Sequence, residues 1–315
     1  MKRCGWIVAW LGMVSLAWAA FEPPAERERL RALGNLLEEA EADRILLTPD
    51  ADFRPITVPS RNDWLMYHPE RGQTFEEYRE SDANRPDAAR SIIYILPIGE
   101  FAEETSPPFD EIRTYATAFF QMEVRILPAY DPHDLEFEPR KNPRTGHRQV
   151  LTGEILKFLK TRLPADAYCL LGVTMQDLYP QRSWNYVFGQ ASLGERVGIY
   201  SLARYDPAFW GDDRGRRYRE KILARSCKVL VHETAHMFGL RHCVHYDCVV
   251  NGSNHLAESD RKPQHLCPVC LRKLHHATAL GLGQRYRDLA AFYRRHQWFD
   301  ELDWVNRQLG RAASR

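Results

Sequence analysis

Histidines at 232, 236 and 242, with Glu233 beside the first and Gly239 between the second and third, spell HExxHxxGxxH inside the run HETAHMFGLRHC. Residues four apart on a helix lie one above the other on the same face, so His232 and His236 can hand two imidazole nitrogens to one ion. Gly239 tolerates the left-handed conformation that ends helices, which lets the chain reverse and bring His242 back as a third ligand. A fourth corner of the tetrahedron stays open for water. Glu233 is rotated off the two-histidine face, toward the place where the general base of a metal-activated hydrolysis is needed. Ordinary solvated or core histidines would not require this spacing. A zinc enzyme that takes its third ligand from a distant glutamate is disfavoured by Gly239 and His242 where they stand.

Cys243 follows the third histidine directly, and Cys248, Cys267 and Cys270 come after it. The spacing CxxxxC, eighteen residues, CxxC suits a closed site in which four thiolates hold a zinc ion that does no chemistry. Adjacent backbone positions would then serve two ions, and the second would pin the loop that presents His242. Two disulfides are the alternative, because the chain begins like an exported protein.

The run HETAHMFGLRHC, the paired cysteines and the intervening GSNHLAESDRKP resemble the archaemetzincins, a branch of the metzincin zinc peptidases. Upstream, IYILPIG, DLYP and SWNYVFGQASLGERVGIYSLARY are similar to that family too, so the resemblance covers roughly residues 90 to 285. It implies a metzincin-like α/β fold with a mixed twisted sheet, an active-site helix and a Cys4 zinc subsite. It also implies His232, His236 and His242 as catalytic zinc ligands, Glu233 as base, and the four cysteines as a second, structural zinc site. By the same resemblance, Tyr186, Phe188 and Gly189 lie near the strand along which an extended peptide binds. One position departs from the pattern. Metzincins carry a methionine in a turn beneath the zinc, expected here at 250, and this chain has Val250. Valine keeps that floor apolar but lacks the long polarisable side chain.

Those residues need elements to position them. A helix from about Arg216 through Ile222, Leu223, Cys227, Leu230 and Val231 runs into the histidine motif and ends at Gly239. Before it, apolar runs at Ser91 to Leu96, Val124 to Leu127, Tyr168 to Val173 and Val197 to Ala203 read as strands. Helices are expected from Phe109 to about Gln121 and from Thr152, as cap, through Leu163. Strand, helix, strand, helix, strand points to an α/β layer architecture. Cys169 and Cys227 read as buried thiols. Trp184 to Ser192 is either a packed hairpin or part of the substrate edge. His275 and His276 read as exposed positions on a short helix and are left out of the metal sites.

The flanks are read more coarsely. Met1 to Ala19 has a basic start, an apolar stretch and an Ala-Trp-Ala exit, as a cleavable signal peptide does, which implies a secreted or periplasmic protein. An uncleaved membrane anchor is the alternative. Residues 20–90 form an N-terminal unit: a helix over Ala25 to Leu47 with leucines at 30, 33, 36 and 37, then a proline-rich irregular stretch. Trp64, Tyr67 and His68 in that stretch border a cleft or, more commonly for such aromatics, pack. Residues 91–284 form the catalytic domain, and 285–315 a helix or helix pair covering it. With 44% hydrophobic residues the chain suits one substantial domain, and its net charge of +1 leaves no electrostatic footprint for nucleic acid. The expected activity is that of a zinc metalloendopeptidase or aminopeptidase-type hydrolase, with two zinc ions per chain, peptide or protein substrates, and no stable membrane association once the signal is gone. A zinc-stabilised peptide-binding protein with a vestigial site is the competing class, and iron or cobalt in the histidine site a further variant.

Overall fold

The computed structural model describes residues 20–131 and 139–314. The expected signal segment lies outside the described residues. Four short helices come first: α1 (Glu26–Leu33), α2 (Glu41–Leu47), α3 (Trp64–Tyr67) and α4 (Phe75–Arg79). The central region follows as β1 (Ile92–Ile98), α5 (Phe109–Phe120), β2 (Val124–Ile126), β3 (Arg140–Lys141), β4 (Arg148–Leu151), α6 (Thr152–Thr161), β5 (Ala167–Thr174), β6 (Asp177–Tyr179), β7 (Gly189–Ala191) and β8 (Val197–Ser201). Then come α7 (Tyr218–Met237), α8 (Leu256–Arg261), α9 (Pro268–Thr278), α10 (Leu282–His296) and α11 (Phe299–Ala313).

The main sheet has the order β2-β1-β5-β8-β7, parallel except for β7, which runs antiparallel along β8 at the edge. A strand buried on both faces reads as an unbroken apolar run, which is what IIYILPI and AYCLLGVT are. Alternate residues divide between two cores. Ile93, Ile95, Cys169 and Leu171 face one with α5, α7 and the C-terminal helices. Ile92, Tyr94, Leu96 and Leu170 face the other, which α6 closes with Ile155, Leu156 and Leu159. A second small sheet, β3-β4-β6, braces the hairpin that carries β7 through the bridge Leu178 to Val187. The architecture is therefore α/β with a mixed sheet, and α7 lies across β8, β7 and β5 with its last turns under the edge strand.

Three expectations about elements are corrected. The helix over 25 to 47 is two helices, because Gly34 takes φ 75° after α1 and breaks the periodicity. Leu33 is buried, whereas Leu37 is 75% exposed, so the leucine stripe is not one face. Thr152 does not cap α6; Leu151 stands at that position, and the Thr152 hydroxyl donates to the Gln190 carboxamide oxygen, with the Tyr179 carbonyl also within reach. The strand ending at Ala203 stops at Ser201, where the chain enters a 3-10 turn, Ala203–Tyr205. Cys169 and Cys227 are buried thiols. Among the described residues no helix is long and apolar enough to cross a membrane.

Candidate metal centre and active site

The end of α7 decides the geometry. Gly239 sits at φ 82°, the Gly239 N–H donates to the His236 carbonyl at 2.8 Å and the Leu240 N–H to the Ala235 carbonyl at 3.1 Å. This is the paired reversal that glycine permits after a helix. Any side chain there would also meet the Ala83 Cβ at 2.7 Å. The carbonyls freed at the terminus are taken by side chains: Tyr168 Oη donates to Met237 O at 3.1 Å and Tyr78 Oη to Phe238 O at 2.9 Å. The chain then delivers His242 back toward the helix.

The three imidazoles converge. Ring centroids of His232 and His236 are 4.7 Å apart, and His242 lies 5.3 and 5.0 Å from them. One ligand atom from each falls within 4.8 Å of the others. The hydrogen bonds fix the protons. His232 Nδ1 donates to the Val249 carbonyl at 2.9 Å and His236 Nδ1 to the Leu240 carbonyl at 2.7 Å. A carbonyl can only accept, so Nδ1 carries the hydrogen on both rings and the two Nε2 atoms are bare. Those bare nitrogens are 3.1 Å apart. Two lone pairs at that distance repel unless a cation lies between them. Tetrahedral zinc with bonds of 2.0–2.1 Å sets its nitrogens about 3.3 Å apart, so the donor set fits that ion. Burial, and then the other two histidines, holds His232 well below the usual imidazole range. Burial and the neighbouring His242 likewise bring His236 down to about 4. Both rings are thus neutral at ordinary pH.

These rings line a cavity of about 430 Å³ between α7 and β7, together with Glu233, Gly189 and Tyr186. Glu233 is 4% exposed, and burial pushes its carboxyl up to about 8. It faces Gly189 so closely that a Cβ there would collide with the carboxylate. Of the residues expected at the substrate edge, Gly189 belongs to β7, while Tyr186 and Phe188 precede it along the cavity wall. Tyr186 Oη donates to the Asn254 carbonyl at 2.9 Å, and Phe188 stacks on Tyr205 at 5.1 Å. Both therefore pack and line the cavity at once. Two half-buried lysines in the cavity lining donate to loop carbonyls, Lys262 to Asn251 at 3.0 Å and Lys228 to Ser259 at 2.9 Å.

Cys243, Cys248, Cys267 and Cys270 form a second group, fully buried, with their sulphurs within 4.8 Å of one another. None is joined in a disulfide, which removes the alternative pairing from this structure. Cys243 and Cys267 Sγ are 3.5 Å apart, near the roughly 3.8 Å that zinc with Zn–S bonds of about 2.3 Å sets between sulphurs. Three sulfhydryls directed at Cys243 hold its thiol well below the usual range. Asn251 ties the knuckle: its side chain donates to the carbonyls of Cys243 and Tyr246 and accepts from the Cys248 N–H. Val250 is buried in the same turn, and its carbonyl accepts from the Cys243 N–H at 3.1 Å. The turn thus meets His232 through the Val249 carbonyl and Cys243 through the Val250 carbonyl, both backbone atoms.

Two residues here escaped the sequence reading. Glu70 accepts from His242 Nδ1, and Gln73 lies within hydrogen-bonding distance of Gly239 and Arg241. Both come from the stretch read as irregular, and these partners lie more than 160 residues away. Trp64, read from the same stretch as bordering a cleft or packing, lines the cavity. His275 and His276 take no part; His275 Nδ1 donates to the Leu280 carbonyl and His276 packs on Phe75.

Three convergent imidazoles around an open cavity with a glutamate beside them are the donor set of a zinc hydrolase. Comparison with known proteins narrows the class. The model of Peptidase family M54 matches residues 156–276. Archaemetzincin-2 of Rattus norvegicus is 40% identical over 278 residues, which cover 79% of this chain and 75% of that protein. Archaemetzincin-2 of Homo sapiens is 38% identical over 276 residues, with the same shares. The crystal structure of archaemetzincin from Archaeoglobus fulgidus complexed with malonate is similar at 31% identity and a TM-score of 0.44, over 58% of this chain and 99% of that one. The chain belongs to the archaemetzincin family of zinc metallopeptidases, and its substrates are peptides or proteins.

Proposed function

We propose that this chain hydrolyses peptide bonds in the cavity between α7 and β7, with one zinc ion held by His232, His236 and His242 and Glu233 as general base. When bound there, the ion supplies a Lewis acid for the scissile carbonyl and acidifies water. Glu233 takes the proton of the attacking water on a carboxylate oxygen and passes it to the leaving amine. Its burial makes that carboxylate a stronger base than an exposed one, and a cation held by the facing histidines favours its ionised form. The three rings, their Nδ1 atoms engaged by fixed acceptors, keep the ligand geometry from reorganising during turnover. The observation that carries the reading is the pair of bare Nε2 atoms at 3.1 Å beside a buried glutamate.

Among the described residues β7 pairs along one edge, with β8, and its other edge can take an extended peptide by backbone hydrogen bonds. Gly189 leaves room for the Glu233 carboxylate at that edge, and Tyr186 and Phe188 shape the wall beside it. The four cysteines hold a second zinc ion that does no chemistry, giving two ions per chain.

Profiling a peptide library with the wild-type chain and Glu233→Gln tests the mechanism. The variant should keep its zinc and lose at least about 10²–10⁴-fold in kcat/KM. Full activity in it ends the general-base assignment. Tight peptide binding with no cleavage by the wild type would mark a binding protein instead. Unchanged kinetics on every peptide after substitution of Tyr186 and Phe188 would remove that wall from the substrate site.

A further inference from the structure

We infer that Glu70 is a positioning residue of the histidine site: its carboxylate, carried by the segment ahead of the sheet, accepts the Nδ1 proton of His242 and aims the one ligand that α7 does not hold. The inference rests on the three-histidine reading above.

The ligands are not aimed alike. His232 and His236 are fixed by the helix that carries them and by carbonyls on their Nδ1 atoms at 2.9 and 2.7 Å. His242 lies beyond Gly239 on a loop, where no helical backbone sets its ring. Its Nδ1 meets Glu70 instead, 3.0 Å from Oε1 and 3.2 Å from Oε2. An ionised acceptor makes a bond roughly twice as strong as a neutral one. It also fixes the tautomer that leaves Nε2 free and raises the basicity of that nitrogen, as carboxylate–histidine pairs at metal sites do.

Glu70 is itself held in place. The Trp64 Nε1–H donates to Oε1 at 2.9 Å, and the Trp64 ring stands edge-on to His242 at 5.2 Å. The backbone N–H of Trp64 is anchored on Glu258, 3.0 and 3.1 Å from its two oxygens. The indole fits only because residue 252 is glycine, where a Cβ would fall 2.6 Å from Trp64 Nε1. A relay therefore runs from Glu258 through Trp64 and Glu70 to His242. The N-terminal segment orients the site as well as packing on it.

An ion pair with a protonated imidazole on the rim would add little. What separates that from a positioning role is metal affinity. Full-length wild type, Glu70→Ala, Glu70→Gln and His232→Ala are titrated against a chromophoric zinc chelator, and the visible spectrum of the Co²⁺-substituted proteins is recorded. Glu70→Ala should bind zinc about 10–100-fold more weakly and alter the cobalt bands. Glu70→Gln, which keeps an accepting oxygen but not the charge, should fall between it and wild type. If Glu70→Ala retains wild-type affinity and spectrum while His232→Ala loses one ion, the role of Glu70 is refuted and the site stands. If His232→Ala keeps every ion, the three-histidine reading falls as well. Should the alanine variant not fold, the isosteric Gln variant decides, and wild-type affinity in it refutes the proposal.

Discussion

His242 and Cys243 are neighbours on the backbone, yet their side chains enter clusters of different kinds. The histidines line an open cavity, with bare Nε2 atoms on His232 and His236 and a buried glutamate next to them. The cysteines are sealed, each no more than 3% exposed, with Asn251 locking the loop around them. An open ligand set leaves a position for substrate, whereas a closed one can only hold the chain together. The contrast teaches that accessibility, more than ligand count, separates a site that reacts from one that binds structure. It also couples the two, since the cysteine knuckle fixes the backbone one residue from the third histidine.

Substitutions can break this contrast. Cys248→Ala should act on folding, because structural zinc contributes on the order of 10 kcal/mol to domains that depend on it. A thermal melt should lose its cooperative transition at the wild-type midpoint and both zinc ions should leave; a melt within a few degrees of wild type would place the cysteines outside the folding core. His236→Ala should act on chemistry. Turnover should fall by several orders of magnitude with one ion lost and a smaller change in the melt, and an equally large fall in stability would erase the distinction.

Gly189→Ala sharpens the cavity side. Its Cβ would push against the Glu233 carboxylate, and displacing a base by about 1 Å can cost 10²-fold in rate. Zinc content should be retained while kcat falls; wild-type kcat would mean the base does not work from this position. Val250→Met is expected to do least. The methionine that the wider family pattern carries would be inserted into a packed turn, destabilising by about 1–3 kcal/mol without altering zinc content or kcat. A rise in activity on that substitution would show that the floor side chain acts on the metal directly.

The fold was legible where each signal was local. The apolar runs of β1 and β5, the helix of α7 and its stop at Gly239 follow from hydrophobic pattern and from the one residue that adopts a left-handed turn freely. The N-terminal helix was misread because its leucine spacing continued across Gly34, whose positive φ ends the helix. Thr152 was misread as a cap because the helix starts one residue earlier, with Leu151 at the cap position, and the Thr152 hydroxyl bonds Gln190 on β7 instead of the helix.

The spacing of His232, Glu233, His236, Gly239 and His242 brought the three imidazoles together by itself, because helix geometry and a glycine turn need no distant partner. The four cysteines did the same for the second cluster. Tertiary structure alone decided what holds two of those rings and their surroundings: Val249 and Glu70 on the Nδ1 atoms of His232 and His242, Trp64 on Glu70, and Gly189 against Glu233. Those contacts join segments that share no periodicity, and only packing brings Glu70 within reach of a histidine 172 residues away.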